Sequence, residues 1–419
     1  MRRTTGYAAV LLAAALCVNG ALGQSLPGGR DLDLPPADPV IPLPTGHPRM
    51  DVVGGFYTGV EFIMFRQTNP IRHQTVAVRG FVDMDGAVTA DLNGTVVDSD
   101  AAPPLIIRGP FVPGTRYGSG NEALATDDLR QQESYQPGWA ISLGYKFDSG
   151  AAVELKWLHI HEATYSAGAS LFPPNFAVGP NVVDTLLLSP VFNAPVEFSG
   201  PADKIALGNP TSLAGIWNGA TNMSISFTQR YEQVDIAGKV PWYQNDSCRI
   251  YGRAGGRFAW IWERFQWRTV STDFNGNAGP QDTATYSNIV SNRMYGPFVG
   301  IGADRYIGKG FAIAFEGDAA GLADIVKERA AYERGDRNVG AKKSATNFSF
   351  VPEVNANVNL YWYPWESVQI RAGWNFMSFF NTVAADQPIA FDFRNLDPDW
   401  KNRGVRYLDG FNAGIAFIF

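Results

Sequence analysis

The chain has 419 residues, with 34 basic against 40 acidic side chains, a formal charge of -6 and 45% hydrophobic residues. That acidic balance, with basic residues scattered, excludes the clustered positive footprint of a nucleic-acid binder. Beyond the first two dozen residues no stretch has the ~20 apolar positions of a spanning helix, while 44 glycines and 13% aromatics suit an extended β architecture.

Residues 1–23 read as a signal peptide. Arg2 and Arg3 form a positive head, Tyr7 to Val18 an apolar core, and Ala21-Leu22-Gly23 a small-residue site before Gln24. The leader carries two arginines and no acid, so its loss deepens the charge to -8. Residues 24–50 hold Pro35, Pro36, Pro39, Pro42, Pro44 and Pro48, which prevent regular structure and predict a periplasmic lead-in. Residues 51–419 then follow one theme.

Gly55 to Arg66 alternates Phe56, Val60, Phe62 and Met64 with Gly59 and Glu61. Thr75 to Asp83 alternates again, and Asp85-Gly86 before Val88, Ala90 and Leu92 signals a hairpin. That second hairpin is polar enough to stand above a membrane. The clearest pair sets Trp139, Ile141, Leu143, Tyr145 and Phe147 against Val153, Leu155 and Trp157 across Asp148-Ser149-Gly150. Strand character resumes at Met223, Ile225 and Phe227, with a wobble at Gln229–Tyr231 that predicts a bulge. From Arg249 to Trp267, Ile250, Phe258, Trp260 and Trp262 share one face while Arg249, Tyr251, Arg253 and Arg257 share the other. Two further pairs turn at Gly308-Lys309-Gly310 and Pro364-Trp365-Glu366. The closing strand runs from Gly410 to Phe419, with Phe411, Ala413, Ile415, Phe417 and Phe419 on one face.

This predicts ten strands, or twelve with the doubtful hairpin. Both counts are even and put the termini on one side with the short turns. The long loops, about 97–136, 166–220, 268–284, 327–346 and 381–403, fall on the other side. Short periplasmic turns and long extracellular loops mark a closed antiparallel transmembrane β-barrel, an all-β fold of the Gram-negative cell outer membrane. Lipid cannot satisfy an open sheet edge, so the first and last strands are expected to pair. Trp157, Trp260, Trp262, Trp362, Trp365 and Trp374 then read as an aromatic girdle.

The run Gly55-Phe56-Tyr57-Thr58-Gly59-Val60-Glu61-Phe62, continuing through Arg66-Gln67-Thr68-Asn69-Pro70 to Val78-Arg79-Gly80, resembles the β-barrel porin family of planctomycete outer membranes. Pro137-Gly138-Trp139 and Asn292-Arg293-Met294-Tyr295-Gly296-Pro297 are similar to that family too. The resemblance implies a barrel and a pore former, and brings no catalytic residues.

Candidate lumen residues are Lys146, Lys156, Arg253, Arg257 and Arg371 on the basic side and Glu154, Glu316, Asp318 and Glu353 on the acidic side. Opposed rows of these charges across a lumen would set ion preference. If they pair instead, they plug it. Eight strands leave room only for side chains and sixteen leave a channel, so ten to twelve strands leave both readings open. His159 and His161 share a face, but two imidazoles fall short of the three or four ligands of a metal site. No nucleophile motif, P-loop, dinucleotide fingerprint or calcium loop occurs, so neither an enzyme nor a cofactor is expected.

The expected function is passive diffusion of small hydrophilic solutes, the alternatives being a structural or adhesive barrel with a plugged lumen, or a barrel enzyme. Expected partners are outer-membrane lipids, small polar solutes and the barrel-assembly machinery, for which Phe419, with Phe417 and Phe411, is the candidate signal. A homo-oligomer is compatible with the pattern, and nucleic acid is not.

Overall fold

The computed structural model describes residues 46, 48, 54–83, 115–132, 134–171, 186–199, 216–272 and 276–419. The expected signal peptide, nearly all of the expected lead-in and the hairpin arm expected at 88–92 lie outside the described residues. Ten strands close a barrel: β1 (Gly55–Gln67), β4 (Gln136–Lys146), β5 (Ala152–Ser170), β7 (Asn222–Gln244), β8 (Cys248–Val270), β9 (Thr283–Gly308), β10 (Phe311–Arg334), β11 (Gly340–Trp365), β12 (Val368–Val383) and β13 (Arg403–Ile418). Every neighbouring pair is antiparallel. The seam joins the first and last strands, from Tyr57 opposite Ile418 to Gln67 opposite Leu408. Phe419 extends it by donating its amide to the Phe56 carbonyl at 2.8 Å.

The wall alternates because its two faces meet different solvents. Phe56, Val60, Phe62, Leu143, Leu155, Val240, Val299, Val358, Trp374 and Phe417 all point out and stay exposed. A belt this apolar on a water-facing monomer would be an aggregation surface, but against acyl chains it is the stable choice. On β8 the outward apolar and small residues run from Ile250 to Trp260. Ten steps at ~3.3 Å, tilted by ~40°, rise about 25 Å, the height of a barrel's apolar band.

The central strands do not stop there. β7 to β11 are 23 to 26 residues long, about twice the ~10 residues a crossing needs. Above the belt the alternation inverts. On β10, Phe311 and Ile313 face out below, whereas Val326, Ala330 and Tyr332 face in above while Lys327 and Arg329 face out. The segment 327–346, expected as a loop, is therefore a strand pair with a turn between Arg334 and Gly340. The wobble at Gln229–Tyr231 has the same origin, since β7 keeps its register with β8 there. The bulge lies on the partner strand β5, between Ile160 and Ala163 opposite Tyr231 and Gln229.

Three strands stay out of the wall. β2 (Thr75–Asp83), β3 (Thr115–Ala125) and β6 (Leu186–Leu188) form a small sheet in the order β3-β2-β6. The stretches 97–136 and 166–220, expected as plain loops, thus supply β3, β6 and the upper part of β5. The strand count is ten, because the polar second strand pairs above the barrel.

Candidate functional site: the lumen

The lumen is stacked in layers. Nearest the short turns is a polar chamber of about 200 Å³, lined by residues that include Tyr57, Lys146, Glu154, Lys156, Lys239, Tyr251, Arg253, Glu316, Tyr361 and Arg371. Gly55, Gly150 and Phe419 at its rim place its mouth on the periplasmic side. Lys239 on β7 sits 3.2 Å from Glu154 and 3.0 Å from Glu316. Glu316 also accepts from the Tyr251 hydroxyl at 2.6 Å and from Arg253 Nη1 at 3.0 Å. The rings of Tyr57 and Tyr251 lie flat over Gly144 and Gly302, where an added Cβ would collide with them. Glycine there lets a tyrosine fold down and aim its hydroxyl at a carboxylate.

Above the chamber the charges are buried and paired. Arg257 is fully enclosed. Its Nε and Nη2 donate to Asp235 at 2.8 and 2.7 Å, and its Nη1 donates to Asp318 at 2.9 Å and Glu353 at 2.6 Å. Arg253 reaches Asp318 at 3.2 Å. Across the barrel, Glu61 holds Arg371 at 3.0 Å and Lys156 at 3.4 Å, and accepts from Asn412 at 3.2 Å. Asn412 donates on to Asn359, and Asn359 to Asn357. These are short links between facing strands, not separated rows of opposite sign. A buried charge persists only when paired and hydrogen-bonded, and these pairs meet that requirement.

An apolar disc follows. The Phe298 ring faces Arg257, with the guanidinium carbon 4.7 Å from its centroid, and Arg253 at 5.1 Å. Around Phe298 pack Phe65, Leu158, Ile261, Met294, Leu322, Val351, Met377, Phe379 and Leu408. Each of the ten strands contributes at least one residue to this cluster. On its outer side Arg406 of β13 pairs with Glu263 of β8 at 2.6 Å, and both are buried. Glu263 also accepts from Gln229 at 3.1 Å and from the Ala385 amide at 3.1 Å.

The outermost layer is a plug made by the stretch after β12. Phe393 packs on Trp217, Tyr286 and Tyr332 inside the upper barrel. Tyr286 and Asn288 donate to the Pro388 carbonyl at 3.0 and 3.1 Å, and Trp400 donates to Asn288 at 3.0 Å. Val76, Leu124 and Leu187 of the small sheet join the same core. In the same stretch after β12, Asp386 is held by Arg72 at 3.1 Å, and partial burial raises the Asp386 carboxyl above its ordinary range.

All nine candidate residues face the interior. Lys146, Glu154, Lys156, Arg253, Glu316 and Arg371 line the chamber, and Arg257, Asp318 and Glu353 lie buried beyond it. The sequence reading placed Arg249 on the inward face without naming it a lumen candidate, and it missed Asp235, Lys239, Asp304, Glu263 and Arg406. Asp235 and Lys239 were findable, because they alternate with outward Val234, Ile236 and Val240. Glu263 and Arg406 carried no such signal, since they lie where the alternation inverts. His159 faces out and sits 3.0 Å from Glu232, with His161 beside it. No cluster suited to a metal ion occurs among the described residues.

A closed antiparallel barrel with a lipid-facing wall and a filled, charge-paired interior defines an outer-membrane β-barrel protein. The chain belongs to the family of the Legionella pneumophila major outer membrane protein, whose model matches residues 114–401, more than half its length. Its place is the outer membrane. No curated protein sequence matches the chain.

Among solved structures it is similar to the outer membrane protease OmpT of Escherichia coli, at 10% identity and a TM-score of 0.39, covering 87% of this chain and 97% of that one. A major outer membrane protein of Thermus thermophilus follows at 9% identity and 0.26, covering 88% and 100%. The Pseudomonas putida toluene transporter TodX is similar at 8% and 0.21, covering 87% and 89%. At these scores the likenesses assign no activity.

Proposed function

We propose that this protein is a closed-lumen barrel, a structural element of the outer membrane that carries a packed cap on its external face and catalyses no reaction. The observation that carries the reading is the apolar disc around Phe298, to which all ten strands contribute. Hydrated ions would have to shed water to cross it. The network beneath supports the same reading, because each of its charges already has a partner of opposite sign. Purified, folded protein in a planar bilayer is expected to give no single-channel steps. Regular steps from unmodified protein would overturn the proposal.

A second reading is porin-like passive diffusion of small hydrophilic solutes. The periplasmic chamber favours it, since Lys146 and Arg371 line a polar space. In that reading the disc and the outer plug must move, and the chamber charges set ion preference. The finer kinship with planctomycete porins belongs with this reading and rests on the resemblance at Gly55–Phe62. Assembly machinery that reads Phe419, and association into a homo-oligomer, are compatible with either reading.

A further inference from the structure

The outer wall carries an unbalanced band of positive charge directly above the lipid-facing belt. Arg264 on β8, Arg293 on β9, and Lys327 and Arg329 on β10 all project outward. Register places them together. Arg264 and Arg329 both lie opposite Ile289, one on each side, and Lys327 lies opposite Ser291, two residues from Arg293. Lys327 and Arg293 are diagonal neighbours, about 7–8 Å apart. Arg264 and Arg329 stand two strand spacings apart, about 10 Å, so the four long side chains can span one ligand that carries two phosphates.

None of the four has an ion-pair partner among the described residues, and the Arg264 Nε is buried without an acceptor. The neighbouring wall is different. On β5 and β7, Arg230 pairs with Glu162 and His159 with Glu232. Charge is therefore balanced on one side of the barrel and left open on the other. From Phe258 to Arg268, Thr285 to Tyr295 and Ala323 to Ala331, no outward residue is acidic. Four unpaired cations this close repel one another in the empty protein, so an anion that binds them removes a standing cost.

The position identifies the anion. Trp260 lies directly opposite Arg293, with Phe258 and Tyr295 just below, all outward aromatics of the belt. Rings of this kind sit at headgroup level. Trp262 lies between the cations, with Arg264 over its ring at 5.5 Å. Arginine forks match phosphate oxygens and lysine supplies a point charge. We propose that Arg264, Arg293, Lys327 and Arg329 form a binding site for the phosphate groups of an acylated glycolipid of the outer leaflet, whose chains lie against Trp260 and Tyr295. The site is independent of whether the lumen conducts.

The test uses the full-length folded protein in detergent with two probes, a diphosphorylated acylated glucosamine disaccharide and the same lipid without phosphates. Binding is followed by native mass spectrometry. The protein is expected to prefer the phosphorylated probe by about tenfold or more, since each cation near a charged surface contributes favourably. R264Q/R293Q/K327Q/R329Q is expected to lose the preference, while K309Q/R337Q, which removes two exposed charges elsewhere, keeps it. Heat-modifiable gel mobility checks that each variant is folded. If the quadruple variant does not fold, R293Q/K327Q replaces it, with an expected loss of about threefold. Equal binding of the two probes, an undiminished preference in the variants, or full displacement by millimolar inorganic phosphate would overturn the proposal.

Discussion

Arg406 and Glu263 meet across the full width of the barrel. In the closed order β1-β13-β12-β11-β10-β9-β8-β7-β5-β4, their strands β13 and β8 are five places apart either way round, so they are diametrically opposed. A 2.6 Å ion pair between buried groups on opposite walls leaves no open bore at that level. Gln229, Thr68 and Ala385 bond to the same pair, tying wall, first loop and plug together.

Breaking this strut one side at a time is expected to be costly. Arg406→Ala or Glu263→Ala strands a buried charge, at about 3–5 kcal/mol. Replacing both with Met and Leu removes the orphan, so that variant is expected to lie much closer to the unmodified protein. Urea midpoints followed by heat-modifiable mobility would show it. Equal loss in the single and double variants would count against the strut.

The inner closure has its own test. Arg257→Ser with Phe298→Ser removes the ring and its cation, and leaves Asp235, Asp318 and Glu353 facing the lumen. The Arg406–Glu263 strut and the plug still close the levels above, so this variant alone is expected to stay silent in a planar bilayer. With Arg406 and Glu263 also changed to Ser and the plug replaced by a short Gly-Ser turn, steps are expected, with a reversal potential in a KCl gradient that marks cation preference. Steps from the double variant alone would show that neither the strut nor the plug closes the bore.

Phe393 is the plug's anchor. Truncation to Ala leaves a cavity among Trp217, Tyr286 and Tyr332, at about 3–5 kcal/mol for a buried Phe. The expected result is faster proteolysis within 384–402 on intact cells, with the barrel itself still heat-modifiable. Unchanged cleavage would show that the loop is held elsewhere.

Deleting Phe419 removes the amide that bonds to Phe56 at the seam. Amounts of assembled barrel are expected to fall several-fold in membrane fractions, while the molecules that do insert keep the same lumen. Normal assembly of the truncated chain would remove Phe419 as a signal.

The lower barrel was legible because lipid imposes a strict rule on each outward position. Val354, Val358, Leu360 and Trp362 alternate with Glu353, Asn357 and Asn359 without exception, and so name both faces at once. The upper barrel obscured itself. Where the wall leaves the membrane, Lys327 and Arg329 take the outward places and Val326 and Ala330 the inward ones. A reader following one phase meets charges at apolar positions and sees a loop. β3 and β6 escaped for another reason, since each pairs with β2 and neither faces lipid.

The sequence by itself determined the lipid-facing alternation, the even strand count and the pairing of first with last strand. Each of these is local or follows from a solvent that tolerates no open edge. Only the tertiary structure decided what fills the bore. Alternation says that Arg257 and Glu353 point inward, and closure into ten strands says what they meet and brings Glu263 and Arg406 together where alternation gave no signal. With a ring this narrow, facing side chains touch before water can part them, so the inward charges become pairs and the disc at Phe298 closes the middle.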